Sequence, residues 1–90
     1  MIETQITVIN KLGLHARASS KLAQLAASFS STIKIGKSED NLVDCKSIMA
    51  LMLLAAGIGT ELVMQVEGKD EALATEKIKE LFEDYFGEGE

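Results

Sequence analysis

IETQITVINKLGLHARASSKLAQLAASF, residues 2–29, changes its hydrophobic period partway along. At its start Ile2, Thr4, Ile6 and Val8 alternate with Glu3, Gln5 and Thr7, the period of a half-buried strand. From Ala18 the spacing lengthens: Ala18, Leu22, Leu25, Ala26 and Phe29 share one helix face, and Lys21, Gln24 and Ser28 fall on the other. The switch is made across Gly13 and His15, and His15 is the only histidine of the 90-residue chain. This stretch therefore reads as a strand that turns directly into a helix.

The same alternation of elements continues outward from it. STIKIG (31–36) is a strand with Ile33 and Ile35 facing one way, GKSEDN (36–41) is turn chemistry, and LVDC (42–45) returns as an antiparallel partner. SIMALMLL (47–54) is a short helix, apolar nearly all round, with Ser47 as a favourable N-cap. AAGIGT (55–60) breaks it, and TELVMQVEG (60–68) alternates again with Leu62, Met64 and Val66 inward. A last helix from about Asp70 carries Ala74, Ile78, Leu81, Phe82 and Tyr85 as its buried stripe, and GEGE (87–90) reads as a frayed acidic tail. The order is β-α-β-β-α-β-α. It predicts an α+β open-faced sandwich, a four-stranded antiparallel sheet covered on one face by three helices, in a single domain over residues 1–90.

Bulk properties exclude several functions. The net charge of −5 opposes nucleic-acid binding, which needs clustered Lys and Arg. No basic-then-apolar leader follows Met1, and the longest apolar run is too short to span a bilayer. A soluble, cytoplasmic protein without direct membrane binding is expected. One cysteine fits a reducing compartment, and one His with one Cys does not make a zinc site. Cys45 reads as a small, partly buried hydrophobe. No metal and no cofactor are expected.

His15 is the residue with chemistry to offer. Gly13 allows a tight turn before the helix, and the first helical N–H groups have no intrahelical partner. Arg17 adds a permanent planar cation. Together these make an anion site, and an imidazole at its rim can accept a phosphoryl group. Residues two apart on a helix point away from each other, so His15 must lie just outside the helix with its ring folded back over the first turn. Positive surroundings predict a neutral ring with one nitrogen lone pair free. A helix-flanking histidine can also be a plain surface cap, which requires none of this. No Ser-His-Asp arrangement can be assigned, GIG (57–59) lacks the context of a dinucleotide loop, and Glu39/Asp40 and Asp70/Glu71 read as structural acids.

GLHAR opening one helix, followed about thirty residues later by KSIM opening a short apolar one, closely resembles the HPr family. These are the histidine phosphocarriers of the bacterial phosphoenolpyruvate-dependent sugar phosphotransferase system. The resemblance implies that His15 takes a phosphoryl group on Nδ1 from enzyme I and hands it to IIA domains of sugar permeases. It also implies that Arg17 and the main-chain N–H groups of Ala16 to Ala18 hold the phosphate. The chain departs from the family's usual HARP at Ala18, where alanine keeps a helical turn and adds one N–H. The product is a relay protein with a phosphohistidine intermediate rather than a stand-alone enzyme.

Ser47 matches the family's regulatory serine, the target of an HPr kinase/phosphorylase in some bacteria, although serine is also simply a good N-cap. The helix it opens has more large apolar residues than one core face can take, so Ile48, Met49 and Met52 are expected in a docking patch, with Leu14 and Ser20 at its edge. Lys21 and Lys46 are the main nearby cations. A monomer is expected, because a carrier exposes its site to successive partners. Two other readings are a nitrogen-related branch with a regulatory IIA acceptor, and a non-catalytic binding module modified at Ser47.

Overall fold

A computed structural model describes residues 1–88 of the chain. Its elements are β1 (Ile2–Thr7), α1 (Ala16–Ala27), β2 (Thr32–Gly36), β3 (Leu42–Asp44), α2 (Ile48–Leu53), β4 (Glu61–Glu67) and α3 (Glu71–Glu83), followed by a single tight turn, Tyr85–Gly87. The strands form one antiparallel sheet in the order β1-β4-β2-β3. This is the expected open-faced sandwich with the expected element order.

The register explains the alternation. Ile6 pairs with Leu62, and Ile33 and Ile35 pair with Val66 and Met64 on the other side of β4. All six are buried, together with Leu22 and Ala26 of α1, Leu51 of α2, and Ala74, Ile78 and Phe82 of α3. Period-two strands thus turn one apolar row toward period-3.6 helices, and the row excludes water as a unit. Polar residues hold the outer face, where Gln65 on β4 donates to Glu3 on β1 over 2.8 Å.

Cys45, one residue beyond β3, is wholly buried rather than partly so. Burial, helped by the Asp44 charge and only partly countered by Lys46, pushes its thiol up to about 12. It is a packing residue, inert as a thiolate.

The C-terminal end differs most from the sequence reading. The stripe was expected to run through Tyr85. Instead α3 stops at Glu83, and Tyr85 and Phe86 both take positive φ, 56° and 53°. Two successive left-handed residues reverse the helical path, so Tyr85 swings outward and Phe86 inward. Phe86 is fully buried, edge-on to Phe82 with ring centroids 4.8 Å apart. Lys21 of α1 donates to the Phe86 carbonyl at 2.6 Å. Glu88 is therefore seated against the body of the protein, and Gly87, though exposed, donates its N–H to the Asp84 carbonyl at 2.9 Å, so neither reads as a frayed tail; Gly89 and Glu90 lie outside the described residues.

Two loops meet at one end of the sheet. Val8 and Gly59 exchange bonds with the 59–60 turn and Val8 that prolong the β1–β4 pairing, Val8 N–H to Thr60 carbonyl at 2.9 Å and Gly59 N–H to Val8 carbonyl at 2.7 Å. Leu14 N–H then donates to the Ala56 carbonyl at 2.9 Å. Gly13, at φ 66°, lies so near the α2–β4 loop that a Cβ would stand 2.4 Å from the Ala56 carbonyl oxygen. Only glycine permits the turn and the approach together. This contact sets where α1 begins.

Candidate functional site

His15 is the N-cap of α1, in extended conformation at φ −74°, ψ −179°. It lies outside the helix, as sharing an anion with Arg17 demands. Its carbonyl accepts the first intrahelical bond, from Ser19 N–H at 2.8 Å, while its side chain makes no capping bond. The N–H groups of Ala16, Arg17 and Ala18 therefore keep the free first-turn positions of a helix start, at the positive end of a twelve-residue dipole. Ser19 Oγ donates to the Leu14 carbonyl at 3.1 Å and binds the first turn to the preceding loop.

The ring is 28% exposed, enough for an incoming group to reach it. It opens onto a cleft of about 770 Å³ shared with Lys11, Leu12, Ala16, Arg17 and Glu88. Arg17 is exposed on the first turn of α1, and Ala18 behind it is fully buried. The structure thus brings His15, Ala16 and Arg17 to one opening, with the Ala18 backbone beneath them.

Two residues of this site escaped the sequence reading. Glu88 meets the ring: its Oε2 is hydrogen-bonded to His15 Nε2. Its other oxygen, Oε1, accepts from Asn10 Nδ2 at 3.1 Å, and the same amide donates to the Gly13 carbonyl at 2.9 Å. Burial pushes the Glu88 carboxyl up, but the bonds from His15 and Asn10 and the charges of His15 and Lys21 outweigh it and hold the group below the usual glutamate value. The ring's surroundings are accordingly mixed in charge, where the sequence led one to expect cations alone. Asn10 is fully buried and its Oδ1 has no partner among the described residues. Asn10 and Gly13 form a local N-x-x-G turn that could have been noticed; nothing local marks Glu88, 73 residues from the histidine.

The expected docking residues divide. Ile48 (42%), Met49 (71%) and Met52 (44%) are exposed on α2, and Ser20 on α1 is half-buried. Leu53, Leu12 and Ile58, not singled out beforehand, add exposed apolar surface. Leu14 corrects the expectation: at 5% exposure it is a core residue and offers no edge to a partner, because its N–H is tied to Ala56 and its side chain is turned inward. Lys21 and Lys46 are also committed, Lys21 to the Phe86 carbonyl and Lys46 to the Phe29 carbonyl at 2.9 Å. Both ammonium groups are engaged by main-chain carbonyls just past a helix end. Ser47 is the N-cap of α2, its Oγ accepting from Ala50 N–H at 3.2 Å.

The chain is similar to known proteins along its length. Residues 2–84 match the family described as the PTS HPr component phosphorylation site. The phosphocarrier protein HPr of Cupriavidus necator is 49% identical over 90 residues, covering all of both chains. The crystal structure of an HPr from Thermoanaerobacter tengcongensis superposes with a TM-score of 0.91 at 39% identity, covering 98% of each chain. A second crystal structure from that organism, described as an HPr dimer, gives 0.74 at 40% identity over 98% of this chain and all of the other. With its sheet order, its histidine at the head of α1 and its likeness along the whole chain, this chain belongs to the HPr family of phosphocarrier proteins of the phosphotransferase system.

Proposed function

We propose that His15 accepts a phosphoryl group on Nδ1 from enzyme I and passes it to IIA proteins in sugar uptake. The observation that carries this reading is the position of the ring: at the head of α1, outside the helix, part exposed, and making no cap bond of its own. A helix start whose N-cap side chain does not fill it keeps its donors for an anion. Arg17 supplies the cation, and the N–H groups of Ala16 and Ala18 add direction. Phosphoryl transfer needs little more than such positioning and charge stabilisation. An open cleft suits a group that is held briefly and given away.

The exposed residues of α2, Ile48, Met49 and Met52, with Ser20 nearby, are the surface on which both partners dock. Phosphorylation of Ser47 by a serine kinase would place about −1.5 to −2 charges beside that surface and oppose docking. The helix would survive, since its N-terminus favours an anion. The protein works as one cytoplasmic domain and as a monomer, so that its site meets successive partners.

Phosphorus NMR after incubation with enzyme I and phosphoenolpyruvate tests the carrier role. An acid-labile phosphate on Nδ1, lost in His15→Ala, is the expected result; a wild-type chain that takes up no phosphate refutes it. Ala18→Pro is expected to change the transfer rate only modestly.

A further inference from the structure

Glu88 reaches the active-site ring from the far end of the chain, and it does so through a built connection. After α3 the chain makes two left-handed residues, Tyr85 and Phe86, a conformation that residues bearing a Cβ disfavour. The cost is offset by burying Phe86 against Phe82 and by the Lys21 ammonium on the Phe86 carbonyl. What the reversal achieves is the placing of one carboxylate. Glu88 Oε2 sits on His15 Nε2, and Oε1 is gripped by Asn10, whose amide also holds the Gly13 turn. Glu88 lies just past residues 2–84, the span of the family model, and within the stretch over which a full-length HPr relative aligns.

We propose that Glu88 is a positioning residue for phosphoryl transfer, forming a carboxylate–imidazole dyad that keeps the ring proton on Nε2 and presents Nδ1 as the nucleophile. The assignment deepens the carrier reading given above and rests on it for its purpose. A carboxylate is an acceptor only, so the ring nitrogen it faces must be the protonated one. With Nε2 carrying the proton, the lone pair is left on Nδ1, the nitrogen free to turn toward the cleft. The logic is that of a carboxylate that orients an imidazole and stabilises its cation in other nucleophilic sites.

The step balances without further reagents. The Nδ1 lone pair forms the new N–P bond, the donor's own P–N bond breaks, and that electron pair leaves with the donor nitrogen. The Nε2 proton does not move. The ring becomes a phosphoimidazolium, a cation whose charge the Glu88 carboxylate faces directly. On release the N–P pair returns to Nδ1 and the ring is neutral again, in the tautomer it started with. Asn10 keeps the carboxylate in place through both halves of the cycle.

Nitrogen NMR of the imidazole in the unphosphorylated protein, together with the rate of phosphorylation by phosphoramidate, tests the dyad without any partner protein. In the wild type Nε2 is expected to carry the proton and Nδ1 to be bare. Glu88→Gln, whose amide oxygen still accepts a bond, is expected to keep that tautomer and lose part of the rate. Glu88→Ala is expected to mix the tautomers and slow phosphorylation about 10-fold or more, by analogy with the loss of a carboxylate behind a metal-ligating histidine. A wild-type ring protonated on Nδ1 would overturn the proposal. So would a Glu88→Ala protein, folded by its amide spectrum, with unchanged tautomer and rate. A faster Glu88→Ala would overturn it too, making the carboxylate a shield that repels phosphate. Because the tautomer is read before any phosphate is added, a chain with the expected tautomer that accepts nothing from enzyme I refutes the carrier reading and leaves the dyad supported.

Discussion

The heads of α1 and α2 are built on opposite plans. At α2 the Ser47 hydroxyl turns back onto Ala50 N–H and fills its own helix start. At α1 the His15 ring makes no such bond and turns instead to Glu88. One helix start has a donor filled by its own cap side chain, and the other has none filled that way. A third head, that of α3, spends its side chain elsewhere again: Asp70 accepts from Ser30 N–H at 2.9 Å, Ser31 N–H at 3.0 Å and the Ser31 hydroxyl, stapling the α1–β2 turn to α3. Of the three heads only that of α2 is closed by its own N-cap side chain; the other two turn theirs to distant segments.

The strongest way to break the comparison is at Gly13, which holds the open head in place. Gly13→Ala would put a methyl against the Ala56 carbonyl and force a left-handed alanine. A loss of about 2–4 kcal/mol is expected in urea unfolding, from backbone strain and overpacking together. The loss of phosphoryl acceptance should exceed what the unfolded fraction explains, since the histidine is carried on the same turn.

Asp70 sharpens it next. The Ser31 hydroxyl and the Ser30 and Ser31 N–H groups hold its carboxyl down to about 2, from an ordinary 3.8. The folded value is the lower one, so the stabilisation is complete above about 3.8 and lost as pH falls toward 2. Asp70→Asn is expected to lower stability at neutral pH and to flatten the fall in acid, measured as denaturation midpoints from pH 7 to pH 2. An unchanged acid limb would show that the staple is not electrostatic.

Exchanging the caps tests the two plans directly. Ser47→Ala should cost about 1 kcal/mol, the ordinary value of an N-cap bond. His15→Ser gains such a bond and loses the one to Glu88, so its stability should stay within about 0.5 kcal/mol of wild type while phosphoryl acceptance is abolished. If His15→Ser were as damaging as Ser47→Ala, the bond from His15 to Glu88 would be a structural anchor of the chain end.

The smallest effect is expected where α2 ends. Ala55 is exposed and has φ 52°, a position that favours glycine. Ala55→Gly should raise stability by about 0.5–1 kcal/mol, the relief of left-handed strain less the greater freedom of the unfolded chain, as a small rise in melting temperature.

Much of this was legible from residue order alone. Strand and helix periods are local properties of side-chain direction, so Ile6, Leu22, Ile33, Met64 and Ile78 declare the faces they bury wherever the chain goes. The open-faced sandwich follows from those faces and from their order. His15 and Arg17 were also visible, because a turn glycine, a helix start and a cation stand within five residues. What folding alone decided depends on contacts between distant segments. Leu14 looks like surface beside a site until its N–H meets Ala56, and Lys21 looks free until the Phe86 carbonyl arrives. Past Glu83 the helical period misleads, since it turns Tyr85 inward, and the path is set by the burial of Phe86, which a two-residue left-handed reversal makes possible. That reversal brings Glu88 to His15 across 73 residues, and no local pattern can encode a partner that only packing delivers.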